Sequence, residues 1–170
     1  MEALGFVYND GGRETAGYKG TTGDCVTRAI AIVTGKPYQE VYDALFYGIK
    51  ELAQGRSRAS VRASRSVGLR GTTPRNGVDK KVYHKYLLSL GYKWIPTMLI
   101  GQGCKVHLRA NELPSGRIIC RVSKHLTAVI DGVINDIFNP SREASYIQFK
   151  DGIETRGTAG RCVYGYYIKA

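Results

Sequence analysis

The sequence predicts an α+β fold, with N-terminal helices packed on a C-terminal antiparallel β-sheet. Three observations predict it. Apolar residues recur at helical spacing up to about residue 90, and runs rich in Val, Ile and Tyr take over beyond it. An Asp131-Gly132 pair between two apolar runs is a two-residue hairpin signal. Helices first and strands second is α+β order, not the alternation of a parallel α/β sheet. A chain of 170 residues with 43% hydrophobic content has the length of one domain and the means to fill a core.

The elements follow in order. Residues 10–24 read as a glycine-rich loop that leads into a helix at Cys25, with Asp24 or Thr22 available to cap it. Ala29, Ile30, Ile32 and Val33 supply its apolar surface and Gly35 ends it. Pro37 opens a second helix, with Val41, Ala44, Leu45 and Ile49 or Leu52 on one stripe and Gly55 at its close. From Arg56 to Arg75 there are six arginines, several serines and glycines and no acidic residue, so a mobile basic segment is expected at about 54–77. Val78–Leu90 reads as an amphipathic helix closed by Gly91. Strands are expected at Lys93–Ile95, Arg117–Val122, His125–Ile130, Val133–Phe138, Tyr146–Phe149 and Cys162–Ile168.

Composition narrows the function classes. The longest apolar run, Ala29–Val33, is far below the roughly 20 residues of a membrane span. The first ten residues show no basic and then apolar leader, so the expected location is a bacterial cytoplasm, with no membrane partner. Cys25, Cys104, Cys120 and Cys162 are accordingly expected as free thiols. The net charge of +11 suits contact with nucleic acid or acidic proteins, and equally suits solubility alone.

Two segments carry candidate chemistry. Cys25 stands where a glycine-rich loop meets a helix start, and the unpaired N–H groups and helix dipole there favour a thiolate. The same N–H groups suit an oxyanion. The alternative is a cysteine serving as a small buried hydrophobe. A hundred residues later, the hairpin register pairs Ile130 with Val133 and sets Thr127 opposite Asp136. His125 then faces Phe138, with Asp136 diagonally adjacent on the same face. Asn135 has the opposite parity. A nucleophile, a base and a carboxylate that orients the base form a triad, so Cys25, His125 and Asp136 are the catalytic candidates. Asn139 is a weaker rival as orienter. His84 is expected to face solvent, and His107 shows no obvious carboxylate partner.

The order Cys25, His125, Asp136 resembles the papain-like cysteine peptidase superfamily, including the double-glycine peptidases that process bacteriocins. Gly23-Asp24-Cys25-Val26-Thr27-Arg28-Ala29-Ile30-Ala31-Ile32, Thr34-Gly35-Lys36-Pro37-Tyr38, Leu113-Pro114-Ser115-Gly116-Arg117 and the segment His125 to Asp136 resemble papain-like proteins of tailed phages and bacteria over most of the chain. The resemblance implies a papain-like fold, a phage- or bacterium-encoded thiol hydrolase, a protein or peptide substrate and no cofactor. Papain relatives place a glutamine several residues before the cysteine. Lys19 stands six before Cys25 here, and no glutamine lies in the loop. Lys19, Thr22 and the N–H of Cys25 or Val26 are therefore the candidate oxyanion donors.

Two rivals use overlapping residues. Cys104-x-x-His107 with Cys120 and His125 gives two cysteines and two histidines, with looser spacing than zinc knuckles show. A catalytically inactive papain-like scaffold, or a basic protein, could instead bind a host protein or nucleic acid through Arg56, Arg58, Arg62, Arg65, Arg70 and Arg75.

Overall fold

The computed structural model describes residues 3–20, 23–141, 145–150, 153–158 and 160–170, with backbone alone for 66–70, 145–150 and 153–158. The chain runs β1 (Gly5–Tyr8), α1 (Cys25–Thr34), α2 (Tyr38–Ala53), α3 (Arg58–Arg70), α4 (Lys80–Ser89) and β2 (Tyr92–Pro96). It continues through β3 (Arg117–Val122), β4 (His125–Ile130), β5 (Val133–Asp136), β6 (Ser145–Lys150), β7 (Ile153–Thr158) and β8 (Gly165–Lys169). This is an α+β fold. A six-stranded sheet has the order β1-β5-β4-β3-β8-β2, and β6 and β7 form a separate two-stranded ribbon. Every pairing in the larger sheet is antiparallel except β1 with β5, which is parallel. The hairpin register is Ile130↔Val133, Val129↔Ile134 and Ala128↔Asn135, as the Asp131-Gly132 turn requires.

The sheet is buried on both faces, which is why β3 and β4 read as nearly continuous apolar runs. On one face Ile119, Leu126, Ala128 and Tyr167 pack under α1, α2 and α4. On the other, Ile118, Cys120, Val122, Val129 and Ile134 pack with Leu4, Leu108 and Val163. Helix α1 is buried at every position from Val26 to Val33, so apolar residues occur on all its sides instead of in one stripe. Its two polar interior residues are both satisfied. The Thr27 hydroxyl donates to the Pro74 carbonyl at 2.9 Å, and Arg28 is held by ion pairs described below. Gly35 ends the helix in the left-handed conformation, with its N–H on the Ala31 carbonyl. The Arg117 guanidinium donates to the Val33 carbonyl at 2.7 Å and to that of Ile32, tying this helix end to β3.

Several expectations need correction. The basic segment expected to be mobile is largely the helix α3. Ser57 caps it by accepting the Ser60 N–H at 3.1 Å, and Ala59 and Ser60 are buried. The packing face is built from small side chains, so it lacks the bulky stripe that marks most helices. The helix expected to begin at Val78 begins at Lys80, because the Asp79 carboxylate caps its first turn through the Lys81 N–H. Strand β1 was not expected; it is exposed throughout and held by backbone pairing to β5. The last strand starts at Gly165, not Cys162, which instead forms an isolated bridge with His107. Cys104 and Cys162 form a disulfide, so only Cys25 and Cys120 are free thiols. No helix among the described residues is long and apolar enough to cross a membrane.

Candidate active site

His125 opens β4 and Asp136 closes β5. These are antiparallel neighbours, so both residues lie at one end of the sheet. The N-terminus of α1 comes to the same end and brings Cys25, which lines one cleft with His125, Val26, Gly77, Lys80 and Arg121. That cleft has a volume of about 410 Å³, and Cys25 is half-buried in it. The His125 ring donates or accepts through Nε2 at 2.7 Å from Asp136 Oδ2, leaving Nδ1 for the sulfur. Phe138 packs on the outer side of the ring, with centroids 5.0 Å apart. His125 and Asp136 thus share a face, as the hairpin parity required. Asn135 turns the other way and accepts from Asn9 at 3.2 Å.

The electrostatics favour an ion pair at the sulfur. Burial alone raises the pKa of the Cys25 thiol. The hydrogen bond and charge of His125, the Leu126 N–H and the charge of Arg28 outweigh it, and the thiol falls below its ordinary 9.0. Burial lowers the His125 pKa, but bonding to Asp136 and to the Cys25 sulfur raises it from 6.5 to about 9. Asp136 is raised by burial and lowered further by His125 and Arg28, so it ionises below its ordinary 3.8. Stability contributed by His125 is fully present below pH 6.5 and is lost as pH rises through about 9. That contributed by Cys25 is present above 9.0 and is lost as pH falls through its lowered value. The two run in opposite senses, because the thiol pKa is lowered and the imidazole pKa raised by the same contact. Cys120, fully buried in apolar surroundings with nothing to offset the burial, has its pKa pushed far up and stays protonated.

Behind the triad lies a buried ionic chain. Arg28 donates through Nη1 to Asp136 Oδ1 at 2.5 Å and through Nε to Asp24 Oδ1 at 2.8 Å. Asp24 also accepts the Tyr38 hydroxyl at 2.8 Å and pairs with Arg13 at 3.5 Å. Asp136 Oδ1 takes the Ile137 N–H at 2.8 Å as well, so both its oxygens are engaged. Gly11 holds the glycine-rich loop against this chain. Its φ is +68°, and a Cβ there would stand 3.0 Å from the Arg28 carbonyl. Sequence reasoning missed Arg28 as a site residue. The signal was a lone cation inside the apolar run from Val26 to Val33.

The support residues divide. Val26 lines the cleft, and its N–H belongs to the first turn of α1. Asp24, one of the two residues expected to cap α1, makes no side-chain cap because its carboxylate is committed to Arg28 and Tyr38. Thr22 lies outside the described residues. Lys19 is exposed and outside the cleft lining; its carbonyl accepts from Arg75 Nη2 at 2.8 Å. Asn139 does not orient His125, since its Oδ1 accepts the Ser141 N–H and hydroxyl at 3.0 and 2.7 Å.

The arginines divide too. Arg56, Arg58, Arg62 and Arg65 are exposed on or just before α3, and the Arg70 side chain lies outside the described ones. Arg75 belongs elsewhere, stacked on Tyr18 with its guanidinium 4.9 Å from the ring centre. His84 is half-buried against the Tyr167 hydroxyl at 2.9 Å, not solvent-facing. His107 does find a carboxylate, Glu112, at 3.1 Å. With Cys104 in a disulfide, the four residues of the zinc alternative do not converge, and no metal-holding cluster occurs among the described residues. No family model, curated protein or solved structure matches this chain.

Proposed function

We propose that this protein is a papain-like cysteine hydrolase acting as a peptidase, isopeptidase or acyl transferase. The observation that carries the reading is a half-buried thiol at a helix start beside an imidazole whose far nitrogen is held by a buried carboxylate. Cys25 attacks the acyl carbonyl as a thiolate, and the carbonyl electron pair moves to oxygen. The first-turn N–H groups of α1 at Cys25 and Val26 stabilise that oxyanion. The His125 imidazolium gives its proton to the leaving amine as the tetrahedral adduct collapses to a thioester. His125 then takes a proton from water or another nucleophile, which attacks the thioester and frees Cys25. Asp136 keeps Nε2 protonated and the ring in plane, and Arg28 keeps Asp136 ionised and fixed.

The test is a mass-spectrometric comparison of a bacterial lysate incubated with the wild-type protein, with Cys25→Ala and with His125→Ala. New peptide termini or acyl adducts with the wild-type protein alone support the reading. Identical product lists for all three proteins contradict it. A second reading, a scaffold that binds nucleic acid, draws on the exposed arginines of α3. It predicts salt-dependent oligonucleotide binding that Cys25→Ala leaves unchanged.

A further inference from the structure

We infer that the substrate is an acidic peptide, bound with its carboxylates against a cationic rim around Cys25; the inference rests on the hydrolase reading and names its substrate class. The cleft that holds Cys25 and His125 is lined by Lys80, Arg121 and Lys124, and no carboxylate among the described residues lines it. None of these three cations makes an ion pair among the described residues. Lys80 Nζ lies over the Trp94 ring at 5.2 Å and the Arg121 guanidinium over the Tyr164 ring at 6.0 Å, contacts that hold both cations on ring faces and leave them without a carboxylate partner among the described residues. Lys124 sits at a tight turn with φ 56°, which holds it at the mouth beside His125.

The rim continues beyond the thiol. Asn76 and Gly77 line both the Cys25 cleft and a neighbouring groove that carries Arg62 and Arg65 of α3. The one carboxylate of that groove, Asp79, is committed to the first turn of α4. An extended chain leaving the cleft past Gly77 therefore meets two further cations that make no ion pair among the described residues. A peptide fits this site better than a nucleic acid, because the cleft presents a nucleophile and an oxyanion site that need an acyl carbonyl.

The test requires no known substrate. Second-order rates of Cys25 alkylation by iodoacetate and by iodoacetamide are measured at low salt and pH 7, with the labelled residue identified by peptide mass. The ratio of the anionic to the neutral reagent is expected to exceed that of free cysteine. It should fall about twofold in each of Lys80→Gln, Lys124→Gln and Arg121→Gln, and not in Lys50→Gln, which lies outside the cleft. The difference should collapse in about 1 M salt.

A glutamate-rich peptide should slow iodoacetamide labelling, and a lysine-rich one should not. Rapid labelling by iodoacetamide with a ratio no higher than free cysteine, unmoved by the three substitutions, overturns the acidic-substrate inference and leaves the hydrolase reading standing. Labelling by neither reagent overturns both. Protection by an oligonucleotide as strong as by the glutamate peptide overturns the peptide assignment.

Discussion

Helices α1 and α3 both carry arginine, in opposite surroundings. Arg28 of α1 is 3% exposed and lies between two buried carboxylates, whereas Arg58, Arg62 and Arg65 of α3 stand in solvent without ion pairs among the described residues. A buried guanidinium survives desolvation only through its partners, so Arg28, Asp24 and Asp136 form a unit that loses heavily when any member is removed. An exposed guanidinium keeps its hydration and gives the fold little, which leaves it free to meet a ligand. One residue type thus holds a buried carboxylate from one helix and stands exposed to solvent on the other.

Substitutions can break or sharpen that contrast. Arg28→Met takes from the buried Asp24 and Asp136 the guanidinium that links them and should cost about 3–5 kcal/mol in urea unfolding. A cost as small as that of an α3 arginine would break the comparison. Asp136→Asn removes the charge that supports His125, whose pKa should fall from about 9 toward 6.5. The imidazole NMR titration would report the fall, and an unmoved midpoint would detach Asp136 from the site. Ser57→Ala removes the α3 cap and should cost about 1 kcal/mol, detectable as a lower urea midpoint. Arg62→Gln should change stability by no more than about 0.5 kcal/mol, which circular-dichroism melts would check.

The site was legible where local chemistry determines geometry. A two-residue turn sets register, and register sets which side chains share a face, so the placing of His125 beside Asp136 follows from Asp131-Gly132. Cys25 at a helix start follows in the same way from the loop before it and Gly35 after it. Arg28 reaching Asp136 is a contact across 108 residues, which no local pattern encodes. Helix α3 hid because Ala59, Ser60 and Ala63 make a packing face without bulk, and serines with arginines read as loop. Strand β1 hid because it buries no side-chain stripe and is held by its backbone. The Cys104–Cys162 pair was missed because free thiols were expected from the inferred cytoplasmic location, and the 58-residue separation gives no local sign of the contact.

The central claim is that the Cys25 sulfur is a thiolate paired with the His125 imidazolium. The direct measurement is the rate of Cys25 alkylation by iodoacetamide against pH, in the wild-type protein and in His125→Ala. Cys120 is buried and protonated and Cys104 and Cys162 are joined, so the label reports Cys25 alone. The account predicts a wild-type midpoint below 9.0 that moves up when the imidazole is removed. A midpoint at or above 9.0, the same in both proteins, would contradict it.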